Sequence, residues 1–247
     1  MERRFTKSSA AITTVSDPLA TAIRSRYTQT THVIPNGFDQ DEFAPQNNAS
    51  AQPQEHFEIV YTGHLYPPNH PAREGPRLVF EALDQLANEK KIKLADFRIR
   101  FVGTPKEKAI GHFTGLASEK QAVIDDWVPR NEIRDVQVNA TVLLSLGSRH
   151  MQGILTGKIF DYLNSGRPIL SIPDDGDGIG KLLKESGAGR TASNRDEVAN
   201  CIYDWYQQWL QTRFLSKVPY SNTIEKFNWR NQTQRFADVL DQIVAQK

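Results

Sequence analysis

Short apolar runs, each followed by a stretch with helical spacing, recur along most of this chain. Phe57-Glu58-Ile59-Val60-Tyr61 is stopped by Gly63, and Gly75-Pro76 then opens a stretch with Leu78, Val79, Leu83 and Leu86 on one helical face. Phe97 to Val102 follows, with Arg98 and Arg100 on its other face, and Gly103 closes it. Thr141 to Leu146 is the most apolar run of all. Runs of this length cannot bury both faces alone, and the alternation predicts a doubly wound α/β fold: one parallel sheet with helices on both faces. Ligands of such sheets sit outside the carboxyl ends of the strands. The loops of interest therefore begin at Gly63, Gly103, Trp127, Gly147 and Pro173.

The flanking segments fit the same scheme. Ala10 to Val15 reads as a strand, and Ser16-Asp17-Pro18 opens a helix reaching Tyr27. His32-Val33-Ile34 is a short strand ended by Pro35-Asn36-Gly37. Residues 46–54 lack periodicity and read as a linker. Pro105 begins a helix, Ala122 to Ile124 is a strand leading to Trp127-Val128-Pro129, and a helix covers 130–139. Thr156 caps a helix that ends at Gly166, and residues 167–172 form the next strand. Asn194 and Glu197 make a capping box before a long helix bearing Ile202, Trp205, Tyr206, Trp209 and Leu210. The spacing of those aromatics reads as core rather than a ligand cage. A last helix runs over 229–244.

Composition removes several function classes. The 247 residues carry a formal net charge of +1, so there is no electrostatic case for nucleic acid or a polyacidic partner. Cys201 is the single cysteine, which excludes an internal disulfide and a cysteine-built zinc site and fits a reducing compartment. His64, His70, His112 and His150 lack metal-ligand spacing, and neither a metal nor a cofactor is assigned. The apolar runs fall short of the ~20 residues that span a bilayer. The first residues, Met1-Glu2-Arg3-Arg4-Phe5, lead into no signal-peptide pattern, so a cytoplasmic protein is expected.

The candidate ligand contacts cluster at helix starts. Gly153-Ile154-Leu155-Thr156-Gly157-Lys158 follows the most apolar strand and opens a helix, where free N–H groups and the helix dipole favour an anion. Its glycine spacing is not that of a Walker loop. Thr156, Gly157 and Lys158 are thus expected at a phosphate. Asp161, one turn on, reads either as a dipole partner or as an acceptor for a ribose diol. Arg73 and Arg77 flank Gly75 at another helix start, and a guanidinium there suits a diphosphate. Gly176-Asp177-Gly178-Ile179-Gly180 lacks dinucleotide spacing and is expected to be a flexible loop.

One ordered set of motifs resembles a known family. Val15-Ser16, then Val33-Ile34-Pro35-Asn36-Gly37-Phe38-Asp39 with Phe43, is similar to the domain junction of retaining GT-B glycosyltransferases of the family-4 type. Tyr61-Thr62-Gly63 with Phe80-Glu81-Ala82-Leu83, then Phe101-Val102-Gly103, Trp127-Val128-Pro129, Lys158 to Leu163 and Gly166-Arg167-Pro168-Ile169 resemble the donor-site units that follow. The resemblance implies two Rossmann-like domains in the intact enzyme. Residues 1–45 would be a remnant of the N-terminal domain with the crossing segment, and residues 46–247 the nucleotide-sugar-binding domain with its C-terminal helices.

The resemblance also implies site residues. The base would lie near Trp127, Val128 and Pro129, the ribose on Asp161, and the diphosphate between Gly63, Arg73 or Arg77, Lys158 and the amides of 154–158. Three departures stand out. Gly153 occupies the place of the family's first paired acid, His64 the place of an arginine, and Glu74 the place of a lysine, with Arg73 adjacent as a substitute.

The implied reaction moves a hexose-like sugar from a nucleoside diphosphate to an acceptor hydroxyl, in glycan or polysaccharide synthesis. The bulk of the acceptor domain would be the missing partner, and the chain alone would be inactive. Any peripheral contact with the inner membrane face would come from that absent domain. Two other readings stay open: a degenerate domain acting as a binding scaffold, and a sugar-nucleotide epimerase of the same architecture.

Overall fold

The computed structural model describes residues 2–41, 53–68, 75–147, 155–174, 176 and 178–245. Its strands are β1 (Ala11–Thr14), β2 (Thr30–Val33), β3 (Phe57–Thr62), β4 (Phe97–Val102), β5 (Ala122–Asp125), β6 (Val142–Leu146), β7 (Ile169–Ile172) and β8 (Gly189–Thr191). Its helices are α1 (Glu2–Ser8), α2 (Asp17–Arg24), α3 (Arg77–Asn88), α4 (Lys106–Ala109), α5 (Arg130–Asn139), α6 (Gly157–Ser165), α7 (Gly178–Ser186), α8 (Arg195–Thr212), α9 (Asn222–Glu225) and α10 (Trp229–Ala245). No described helix is long and apolar enough to cross a membrane.

β3 to β8 form one parallel sheet in the spatial order β5-β4-β3-β6-β7-β8. The chain builds outward from β3 to β5, returns to the other side of β3, and builds outward again. The order therefore reverses between β3 and β6. These two strands pair only at Ile59↔Val142 and Val60↔Leu143, and they part beyond Val60. β1 and β2 form a separate two-stranded parallel sheet.

The period-2 pattern of the strands sorts two cores. Phe57, Ile59, Tyr61, Phe97, Ile99 and Phe101 point to one face, where α3 and α8 bury Phe80, Leu83, Trp205 and Trp209. Val60, Leu143 and Ile169 point to the other, under α6 and α7. α5 also covers this second face, packing Val136 against its core and placing the Gln137 amide on Thr62 of β3. α6 and α7 reach β3, β6 and β7, while β4 keeps Arg98 and Arg100 half-buried there, with Arg100 paired to Asp125 of β5. Burial pushes the nearby Glu58 carboxyl above its ordinary range despite both arginines.

The glycine-rich segment expected to be a loop is helical from Gly178 onward. Ile179, Leu182 and Leu183 recur at helical spacing and are buried in the second core. That burial outweighs the ~1 kcal/mol helix penalty of glycine. Asp177 itself lies outside the described residues. β8, α1 and α9 carry too little apolar pattern to have been anticipated.

The aromatics of α8 are core, as their spacing implies: Trp209 is fully buried and stacks on Tyr206, while Leu210 is exposed. The predicted Asn194 cap is present, with Glu197 reaching back one residue beyond the N-cap. Glu197 N–H donates to Asn194 Oδ1 at 3.0 Å, and the Glu197 carboxylate accepts from Ser193 N–H at 2.7 Å. Asn194→Ala is expected to lower stability by about 1 kcal/mol, read as a shift in urea midpoint at unchanged slope.

The segment after β2 is tied to the start of α10. Phe38 N–H donates to Phe227 O at 3.1 Å, Trp229 N–H donates to Phe38 O at 2.9 Å, and Phe38 is fully buried. A side chain at Gly37 would stand 2.3 Å from Phe227 O, so only glycine allows this approach. Arg235 of α10 donates to Val33 O at 2.7 Å, which links α10 to β2.

Candidate functional site

Where β3 and β6 part, a cleft of about 170 Å³ opens at the carboxyl end of the sheet. Tyr61, His64, Leu65, Tyr66, Ser145, Leu146, Thr156 and Lys158 line it. This is the strand-order reversal at which open α/β sheets bind their ligands. A more open hollow of about 490 Å³ lies beyond edge strand β8, beside Lys181, Lys184 and Arg190. It is remote from the reversal, and Arg190 is already bound to Asp204 at 2.6 Å. The smaller cleft is therefore the candidate site.

Between Tyr61 and Gly63, Thr62 joins a buried polar network. The N–H of Thr62 lies on the side where β6 has diverged, and it donates to the Tyr162 hydroxyl of α6 at 3.0 Å. Tyr162 Oη also lies 3.2 Å from Thr62 Oγ1, to which Gln137 Nε2 donates at 3.2 Å. Full burial pushes the Tyr162 hydroxyl up to about 12.

Tyr162→Phe strands the Thr62 N–H and is expected to cost about 1–3 kcal/mol. The same change should flatten the alkaline loss of stability. The unfolded tyrosine gives up its proton near 10, so Tyr162's contribution is full below about pH 10 and fades as pH approaches 12. Urea midpoints at pH 8 and 11 should fall less in the variant than in the parent chain. Some fall persists, because Tyr206 is also pushed up to about 12.

The walls come from the loops after β3 and before α6. Gly63 has φ +114°, a conformation that L side chains rarely adopt. A Cβ there would meet Lys158 Nζ at 3.0 Å. The missing side chain is the space the lysine uses. Lys158 Nζ lies 3.8 Å from the centre of the Tyr61 ring, a cation–π contact that holds the ammonium at the cleft. Thr156 is the N-cap residue of α6, as expected, yet its hydroxyl makes no capping bond, and residues 157–160 carry no acid. The first turn of α6 thus brings no acid of its own to the positive end of the helix at the cleft.

Of the sequence-predicted residues, the structure brings Gly63, His64, Thr156, Gly157 and Lys158 together. Arg77 is taken up by Glu81 at 2.8 Å, one turn along α3. Asp161 stands outside the cleft wall, 3.9 Å from Arg130 of α5. Trp127 and Val128 follow β5, and Trp127 is 77% exposed. Arg73, Glu74 and Gly153 lie outside the described residues.

Among the residues that line the cleft, sequence reasoning missed Tyr61, Tyr66 and Ser145. The one signal for Ser145 was a lone hydroxyl near the end of the most apolar strand. Gly75, beside Arg77, is held against the buried His112: a Cβ there would fall 2.0 Å from the ring. His112 Nε2 lies 2.8 Å from Tyr66 O, and burial lowers the basicity of this imidazole.

No family model and no curated protein matches the chain. Solved structures do. The Anabaena protein HepE, in complex with UDP and glucose, superposes with TM-score 0.70 at 16% identity over 94% of this chain and 63% of its own. The sucrose-phosphate synthase of Thermosynechococcus elongatus superposes with TM-score 0.66 at 14% identity over 100% of this chain and 61% of its own. The S. aureus MnaA–UDP structure superposes with TM-score 0.58 at 12% identity over 96% of this chain and 60% of its own. The chain thus spans about three-fifths of the length of these three neighbours. At these identities the likeness establishes the fold, which is that of Rossmann-like GT-B glycosyltransferase domains.

Proposed function

We propose that this chain is the nucleotide-sugar-binding half of a glycosyltransferase of the retaining, family-4 type, and that it holds the donor's diphosphate in the cleft between β3 and β6. The observation that carries the reading is the convergence at the strand reversal of three features: the uncapped start of α6, the Lys158 ammonium, and the glycine at 63 that makes room for it. A diphosphate leaving from a sugar develops negative charge on its bridging oxygen. A fixed cation and a helix N-terminus aimed there stabilise that charge without reorganising at the moment of reaction. UDP is the first nucleotide to test, because it is present in the HepE and MnaA structures.

On this reading residues 46–247 form the donor domain, and residues 1–45 belong to a second domain whose bulk lies outside this chain. The separate β1–β2 sheet supports that division, since a parallel sheet normally has both faces covered and more than two strands. Acceptor binding and closure over the donor would come from that domain, so the chain alone would bind donor but transfer little or nothing. Asp161, Trp127 and Val128 are proposed for the ribose and base ends of a longer ligand, and Arg73 or Arg77 for its phosphates. The transferred group is proposed to be a hexose, used in glycan or polysaccharide synthesis in the cytoplasm.

The test is a thermal-shift panel of UDP, GDP, ADP, TDP and their sugar conjugates on the purified chain. A nucleotide at a hundred times its dissociation constant should add about 2.7 kcal/mol. A shift confined to one base class identifies the donor, and no shift with any of them sinks the reading.

A further inference from the structure

We propose that Lys108 is a positioning residue of the cleft: it fixes His64 with its proton on Nδ1 and stands behind it as a second cation for a diphosphate. This rests on the cleft being a diphosphate site. Lys108 lies on α4, after the loop that follows β4, and its Nζ is 2.9 Å from His64 Nε2. An ammonium only donates, so the imidazole nitrogen facing it must accept. The ring proton is then on Nδ1, and a neutral His64 in this arrangement offers that N–H as its donor. Without Lys108 either tautomer would serve, and the imidazole would carry no fixed charge beside it.

The contact is held by the backbones that bear the two side chains. Gly63 N–H donates to Val102 O at 2.7 Å, and the Thr104 hydroxyl donates to Gly63 O. Gly103, at φ +80°, brings its loop close to Gly63: a Cβ there would lie 3.8 Å from Gly63 Cα. The Tyr61 hydroxyl donates to His64 O at 2.9 Å, and Tyr66 meets the His64 ring edge-on at 6.1 Å. The loop after β3 and the loop after β4 are thus fastened together just before the residues that carry His64 and Lys108.

Sequence spacing gives no reason to join two residues 44 positions apart. The pairing places positive charge on the His64 side of the cleft, while Lys158 supplies it from the α6 side. A diphosphate between them would meet a donor or a cation from each wall, which a nucleoside without phosphates cannot use.

The experiment compares binding of UDP and of uridine to the parent chain, Lys108→Ala and Lys108→Arg, by calorimetry at low and moderate salt. UDP should bind Lys108→Ala about fivefold to tenfold more weakly, uridine should bind all three alike, and Lys108→Arg should recover most of the UDP affinity. Nitrogen-15 spectra of the imidazoles, with His64→Gln to assign the resonance, should show Nδ1–H in the parent and a mixed tautomer in Lys108→Ala. UDP affinity within twofold of the parent in Lys108→Ala overturns the proposal, as does an equal loss for uridine. If the parent chain binds another nucleoside diphosphate of the panel in place of UDP, the same comparison is made with that nucleotide and its nucleoside; binding of none of them overturns the diphosphate reading itself, and this proposal with it.

Discussion

Lys158→Ala is expected to lower UDP affinity by about tenfold to a hundredfold while leaving the melting temperature of the unliganded chain within a few degrees. The first half of the expectation follows from charge. A hydrogen bond from an ammonium to a phosphate contributes about 1.5–3 kcal/mol, and each 1.4 kcal/mol is about tenfold in affinity. The second half follows from two opposing effects of similar size. A cation in the first turn of α6 sits at the positive end of the helix, which costs about 0.3–1 kcal/mol. Its contact with the Tyr61 ring returns about 0.5–2 kcal/mol. Removing the lysine removes both. Calorimetry with UDP and a melting curve without it separate the two effects. Unchanged UDP affinity would remove Lys158 from the site. A large fall in melting temperature would recast it as a structural residue. Gly63 supports the same experiment from the other side: a valine there would place methyl groups where the Lys158 ammonium lies and would have to adopt φ +114°. It should therefore lose stability as well as affinity.

The largest loss of stability is expected at Trp209. Its ring is fully buried between sheet and helix, stacked on Tyr206 at 5.9 Å and edge-on to Phe57 at 6.0 Å, with the Arg213 guanidinium 4.4 Å from its centre. Trp209→Ala should cost about 3–5 kcal/mol, a large part of the ~5–15 kcal/mol that holds a typical domain folded. The companion substitution tells the packing from the polar group. Trp209 Nε1 is buried and has no hydrogen-bond partner among the described residues. Trp209→Phe removes that unpaired donor while keeping most of the ring, so it should cost well under half of what alanine costs. Urea unfolding of both variants provides the check. Equal losses would show that the indole nitrogen, and not the volume, is what the site needs.

The sequence by itself determined the elements. The Phe97–Val102 strand and the Arg130–Asn139 helix have the bounds that periodicity and flanking Gly and Pro assign them. The Asn194–Glu197 cap and the buried aromatics of α8 also follow from spacing alone. These features are local: a strand or helix period, a cap or a turn is set by residues a few positions apart. The placement of Lys158 at a helix start after the most apolar strand is local too, and it sufficed to mark the α6 end of the cleft.

Tertiary structure decided what stands opposite that end. Placing β6 beside β3 sets Ser145 and Leu146 opposite Tyr61 and His64, and the early parting of the two strands leaves Thr62 to be satisfied by Tyr162. It also sorted the basic residues. Arg77 is drawn to Glu81 on its own helix, whereas Lys108, with no motif around it, reaches His64 from α4. The helical start at Gly178 is of the same kind, because its burial depends on a sheet the segment does not contain. Periodicity reports which face of an element is apolar. It carries no information about which loops the sheet order brings together, and that order arises from apolar contacts between segments far apart in the chain.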